Sequence, residues 1–130
     1  MIRVVILSLV FIFSCELQIT PEINIITESD FIDLQDSDYT LIDVRTQDEF
    51  DLGHIDSAIN LDFYSDSFQN KILSLPKNEK IILYCRTNNR STKTANILKE
   101  NGYRDIIVIR GGITEWVKNG NDINYTTYSD

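Results

Sequence analysis

Histidine and cysteine are scarce. One His and two Cys stand in the whole chain, too few to assemble a zinc site with any recognised ligand spacing. Basic residues are outnumbered, 12 Lys and Arg against 20 Asp and Glu, and they form no long run. The net charge of −8 sets an overall field that repels a phosphate backbone, which argues against nucleic-acid binding. There is no internal repeat and no low-complexity segment. With 130 residues, 42% of them hydrophobic, the chain has room for one domain with a real core and not for two.

No apolar run is long enough to cross a bilayer comfortably. Val4 to Phe13, interrupted only by Ser8 and preceded by Arg3, suits the h-region of a signal peptide instead. Ile12-Phe13-Ser14-Cys15 is similar to a bacterial lipobox with a bulky Phe13, so Cys15 is the expected lipidation site. Ordinary secretion, an uncleaved anchor and a buried strand are the alternatives. On this reading residues 1–15 are a signal peptide, 16–23 a tether, 24–120 the domain and 121–130 a polar C-terminal tail. The expected location is the periplasm or cell envelope, with membrane contact only through an N-terminal lipid anchor or signal. Cys85 is then an unpaired thiol in an oxidising compartment, where leftover cysteines are normally paired or lost. It is either a small buried hydrophobe or a reactive group.

Strand-length apolar runs alternate with helical patterns after the tether. Strands are expected over Glu22 to Ile26, Thr40 to Val44, Ala58 to Leu61, Lys80 to Tyr84 and Arg104 to Ile109. Thr27-Glu28-Ser29-Asp30 has the form of a helix start, and Thr46 can cap a brief helix that Gly53 ends. Further helices are expected over Ser67 to Leu75, Ser91 to Glu100 and Ile113 to Lys118, the second with Ala95 and Leu98 facing inward. This alternation implies a three-layer α/β domain with a mainly parallel sheet.

Cys85 closes the most apolar strand, at the sheet edge where ligands of parallel α/β domains bind. The polar loop Cys85-Arg86-Thr87-Asn88-Asn89-Arg90 leads to Ser91, a candidate helix cap. A curled loop points its N–H groups and the helix N-terminus at one spot, which makes a cradle for an anion. The same dipoles, with Arg86 and Arg90, favour thiolate, the nucleophilic form. Between Cys85 and Lys99 there is no carboxylate, although Lys93 and Lys99 read as a solvated helix face.

These residues match a known pattern. Leu41-Ile42-Asp43-Val44-Arg45, Glu49-Phe50, Gly53-His54-Ile55 and Ala58-Ile59-Asn60 resemble the first half of a rhodanese domain. Ile81 to Ser91 resembles its active-site strand and loop, and Gly102-Tyr103, Arg110-Gly111-Gly112 and Trp116 resemble its closing segment. The resemblance covers roughly residues 24 to 120. It implies a rhodanese-like fold with a five-stranded, mainly parallel sheet flanked by helices. It also implies a sulfurtransferase whose catalytic Cys85 carries sulfane sulfur as a persulfide, from a small anionic donor such as thiosulfate to a thiol or cyanide. No cofactor is implied. Arg86, Thr87, Asn88, Asn89, Arg90 and Ser91 are the implied substrate-binding set; Asp43 and Arg45 are expected to support the loop.

Two positions depart from the pattern. Asn88 stands where related loops often carry Gly and is expected to tolerate a left-handed backbone, and Ser57 replaces a common turn Gly. His54 is read as part of a structural turn and Trp116 as core. Phosphatases and arsenate reductases of this fold have a Cys–Arg loop one residue longer than the four residues that separate Cys85 from Arg90 here. Such an enzyme, or a non-catalytic binding or sensor module, is the rival reading. A disulfide oxidoreductase lacks its resolving cysteine.

Overall fold

The computed structural model describes residues 21–34 and 37–127. The signal segment with Cys15 and most of the tether lie outside the described residues, as do 128–130 of the tail.

The elements in chain order are β1 (Glu22–Ile26), α1 (Glu28–Asp33), β2 (Thr40–Asp43), α2 (Gln47–Asp51), β3 (Ile59–Asn60), α3 (Phe68–Ile72), β4 (Lys80–Tyr84), α4 (Asn89–Glu100), β5 (Asp105–Ile109) and α5 (Gly112–Lys118). The strands form one sheet in the order β1-β5-β4-β2-β3, with every neighbouring pair parallel. Parallel strands need crossover connections, and the intervening helices supply them.

Pleat alternation divides the core into two layers. Ile81, Leu83 and Cys85 face the side packed by Phe68 and Ile72 of α3 and Ala95 and Leu98 of α4. Ile82 and Tyr84 face Phe31 of α1 and Ile113 and Trp116 of α5. From Ile81 to Tyr84 every side chain is fully buried, as a strand covered on both faces must be. Cys85 thus leaves the sheet on the α3/α4 side.

Short helices need firm caps, because so few turns give them little stability of their own. Thr27 with Asp30 and Thr46 with Glu49 form complete capping boxes at α1 and α2, as their spacing predicts. Several element boundaries differ from expectation, those of α3 and α4 among them. Helix α3 spans only Phe68–Ile72, and the Tyr103 hydroxyl donates to the Leu75 carbonyl just beyond it at 2.7 Å. Helix α4 begins at Asn89 rather than Ser91, with Asn88 at its N-cap and no side-chain cap. Ser91 is not the cap.

Much of the expected polar tail packs on the fold. The Trp116 indole donates to the Asp122 carbonyl at 2.7 Å, and His54 and Asn124 exchange backbone hydrogen bonds of 2.9 and 2.8 Å. Ser57 has φ 63°, so it occupies a glycine-like backbone position, as expected.

Candidate active site

The loop after β4 is shaped from behind by the start of α5. The N–H of Ile113 donates to the Cys85 carbonyl at 2.9 Å and that of Thr114 to the Arg86 carbonyl at 3.1 Å. Gly112 is packed so tightly here that an added Cβ would lie 2.2, 2.8 and 2.9 Å from the carbonyl oxygens of Cys85, Thr87 and Arg86. In a trans peptide the C=O and the following N–H point opposite ways. With three successive carbonyls turned to α5, the N–H groups of Arg86, Thr87 and Asn88 face the other side. None of these three finds a protein acceptor among the described residues. Asn89, Arg90 and Ser91 form the first turn of α4, whose N–H groups lack helical partners by geometry. Six donors and a helix N-terminus therefore serve one loop, an arrangement suited to holding an anion.

Cys85 lies at the base, only 1% exposed, with its Sγ 3.4 Å from the Ser91 hydroxyl. Ser91 is itself fully buried, and its Oγ donates to the Asn88 carbonyl at 3.2 Å. Asn88 is not left-handed: its φ is −138° and ψ −17°. Its side chain explains the different backbone, because Oδ1 accepts the Gly111 N–H at 3.0 Å and ties the loop to the β5–α5 turn. Thr87 and Asn89 are exposed, as are Lys93 and Lys99 along α4.

The two loop arginines are used differently. Arg90 makes a two-pronged pair with Glu49 of α2, Nη1 to Oε2 at 2.7 Å and Nη2 to Oε1 at 2.9 Å, and lies over the Tyr64 ring. Arg86 is exposed and, with Arg45, Leu52, Ile113 and Val117, lines an open cleft of about 540 Å³. The partner Glu49 escaped the sequence reading, since it lies far upstream and only its capping role has a local signature.

Asp43 and Arg45 form a buried pair at the end of β2. Arg45 Nε and Nη2 donate to the Asp43 carboxylate at 3.0 and 2.6 Å, and Nη2 also reaches the Gly53 carbonyl at 2.6 Å. Burial opposes the Arg45 charge, but hydrogen bonds and the charge of Asp43 outweigh it and raise the guanidinium pKa further. Burial first, then the Asp43 charge, pushes the neighbouring Tyr84 phenol far above its usual range. Its oxygen accepts the Ile55 N–H at 3.1 Å. His54 stacks on Phe50 with ring centroids 3.7 Å apart, and its Nδ1 lies 2.9 Å from the Phe50 carbonyl, so it serves the turn.

The hydrogen bond from Arg90, helped by Thr46 and opposed by partial burial, holds Glu49 at a pKa of about 2, against an ordinary 4.5. A depressed carboxylate stabilises the fold above its unfolded pKa and loses that contribution as pH falls through the folded one. The Glu49 contribution is thus complete above about pH 4.5 and fades towards pH 2. Solvent screening at this half-open pair keeps it to roughly 1 kcal/mol. Urea unfolding from pH 7 to pH 2 should show Glu49→Gln less stable at neutral pH and converging on wild type in acid; parallel curves would exclude the pair as the cause.

Comparison with known proteins agrees with this architecture. The rhodanese-like domain family matches residues 27–119. A sulfurtransferase from Allochromatium vinosum is 31% identical over 83 residues, 64% of this chain and 76% of that protein. A tRNA uridine(34) hydroxylase from Erwinia tasmaniensis is 30% identical over 91 residues; the chain spans about a quarter of its length, 25%. Among solved structures, a rhodanese-related protein from Thermoplasma volcanium superposes with a TM-score of 0.69 at 26% identity, covering 79% of this chain and 99% of that one. A rhodanese-like domain protein from Staphylococcus aureus gives 0.69 at 25% identity, with 80% and 99% coverage. With family, sheet order and loop in agreement, the chain belongs to the rhodanese-like family.

Proposed function

We propose that this protein is a sulfurtransferase that moves sulfane sulfur from a small anionic donor, such as thiosulfate, to a thiol or cyanide through a Cys85 persulfide. The observation that carries this reading is the loop itself: buried Cys85 opens a loop whose N–H groups at Arg86, Thr87 and Asn88 find no protein acceptor among the described residues. In the first step the Cys85 thiolate attacks the outer sulfur of thiosulfate. The new S–S bond forms as the old one breaks, and sulfite leaves with its electron pair. In the second step the acceptor attacks the outer persulfide sulfur and Cys85 leaves as thiolate. Splitting one transfer into two displacements is covalent catalysis. The loop N–H groups bind the anionic donor and the persulfide charge. Arg86, exposed in the adjoining cleft, contacts the sulfonate end. Arg90, held by Glu49, has its guanidinium fixed at the head of α4 as one half of an ion pair.

The four-residue spacing from Cys85 to Arg90 favours sulfur transfer over phosphate hydrolysis. In the cell the protein is exported and held at the envelope through the N-terminal segment, with no nucleic-acid partner. Intact mass after thiosulfate treatment tests the chemistry. Wild type should gain one sulfur atom that cyanide removes, and Cys85→Ala should gain none. Silence of wild type with thiosulfate and with persulfide donors would reject the proposal; hydrolysis of an aryl phosphate that Cys85→Ser abolishes would install the rival enzyme.

A further inference from the structure

The Ser91 hydroxyl touches the reacting sulfur and also has a second use. Its oxygen lies 3.4 Å from Cys85 Sγ and 3.2 Å from the Asn88 carbonyl, with the proton directed at the carbonyl. Turning about the Cβ–Oγ bond moves that proton from one acceptor to the other without displacing the oxygen. The turn leaves nothing stranded, because the Asn88 carbonyl still accepts the Thr92 N–H at 3.0 Å. Solvent cannot do the same work where Cys85 is 1% and Ser91 0% exposed. Ser91 is fixed in turn by its place in the first turn of α4, and Asn88 by its bond to Gly111.

We infer that Ser91 is a catalytic residue whose hydroxyl turns from the Asn88 carbonyl to Sγ as Cys85 leaves as thiolate during discharge of the persulfide. The inference rests on the sulfur-transfer reading and deepens it. In the persulfide Sγ is bonded to sulfur and is a weak acceptor. As the acceptor thiolate or cyanide bonds to the outer sulfur, the S–S electron pair moves onto Sγ, which becomes a full anion. A donor already in contact then gains most in the transition state and product, and only such differential gains accelerate a step. Loading runs the other way: a thiolate that holds a hydrogen bond is a slightly poorer nucleophile. Ser91 therefore acts on one half of the cycle.

Single-turnover kinetics read this asymmetry. Discharge of preloaded protein by cyanide should slow about tenfold or more in Ser91→Ala, as loss of a charge-assisted hydrogen bond implies. Ser91→Thr, which keeps the hydroxyl, should stay within about threefold of wild type. Loading by thiosulfate at pH 10 should be unchanged or faster in Ser91→Ala. Equal slowing of both halves, unslowed discharge, or a threonine variant as slow as alanine would overturn the assignment. Thermal melts of both variants separate folding from chemistry, and the threonine variant remains a test if the alanine one unfolds. Alkylation of Cys85 by iodoacetamide needs no sulfur donor, so it keeps this inference apart from the sulfur-transfer reading. Relative to its rate at pH 10, alkylation at pH 7 should fall at least fivefold in Ser91→Ala; an unchanged ratio rejects the contact even if wild type never loads sulfur.

Discussion

Gly112→Ala is expected to cost about 3 kcal/mol of stability or more and to abolish sulfur loading by whatever protein still folds. Gly112 has φ 54°, and its missing side chain leaves the space that the carbonyls of Cys85, Arg86 and Thr87 occupy. A methyl group there cannot be met by rotating a side chain. Three consecutive peptide planes must shift, and those planes aim the loop N–H groups. Gly111→Ala is the informative contrast: its Cβ would meet Cγ and Cβ of Glu115, at 2.1 and 2.7 Å, in the first turn of α5 and none of the loop carbonyls. It should also cost stability, through the left-handed backbone and a shift of that turn, but still load sulfur. Circular dichroism melts with intact mass after thiosulfate decide the matter; a Gly112→Ala protein with wild-type melting and full loading would refute this account of the loop.

Asp43→Asn should cost about 3–5 kcal/mol, because it leaves the Arg45 charge buried without a counter-ion. Arg45 is 5% exposed, and its other partners, the Gly53 carbonyl and the Tyr84 ring 5.8 Å away, are neutral. For a domain of about 100 residues the melting temperature should fall by more than about 10 °C. The paired change Asp43→Leu with Arg45→Met removes both charges and should recover most of the loss, since well-packed apolar replacements of buried ion pairs are often neutral. Chemical denaturation of the single and paired variants measures this. A stable Asp43→Asn, or a paired variant no better than the single one, would show that the charges were not what held β2 to the Gly53 turn.

How far the sequence disclosed this molecule depended on whether each signal was local. Lys80–Tyr84 is an apolar run that matches the observed strand to the residue, because burial on both faces writes itself into the run; Glu22–Ile26 matches to the residue too, although this edge strand is half-exposed. The Thr27 and Thr46 boxes are complete within four residues. Ser57 was legible as a glycine-like turn through the family resemblance, whose pattern often has Gly there. Asn88 misled, because the bond that sets its backbone goes to Gly111, which only tertiary folding brings near. Ser91 looks like a helix cap by composition, but its hydroxyl is buried beside Sγ and donates to the Asn88 carbonyl, and the helix starts two residues earlier without a side-chain cap. The pairing of Glu49 with Arg90 was hidden, since charge partners on different elements leave no spacing to read.

The sheet order also sets a sequence of events in time. β1 is the first strand to be synthesised, yet its sheet partner is β5, with Glu22 opposite Asp105. Until β5 exists, β1 has no neighbour to join, while β2, β3 and β4 can already pair among themselves. A ribosome adds several residues each second, so β1 spends seconds in an extended, unpaired state while Ile23 and Ile26 await their packing. Contacts between distant parts of a chain form late, because the long loop must close before they are rewarded. The beginning and end of this domain therefore enter the fold together, and a nascent chain halted before residue 105 lacks the strand that both β1 and β4 need beside them.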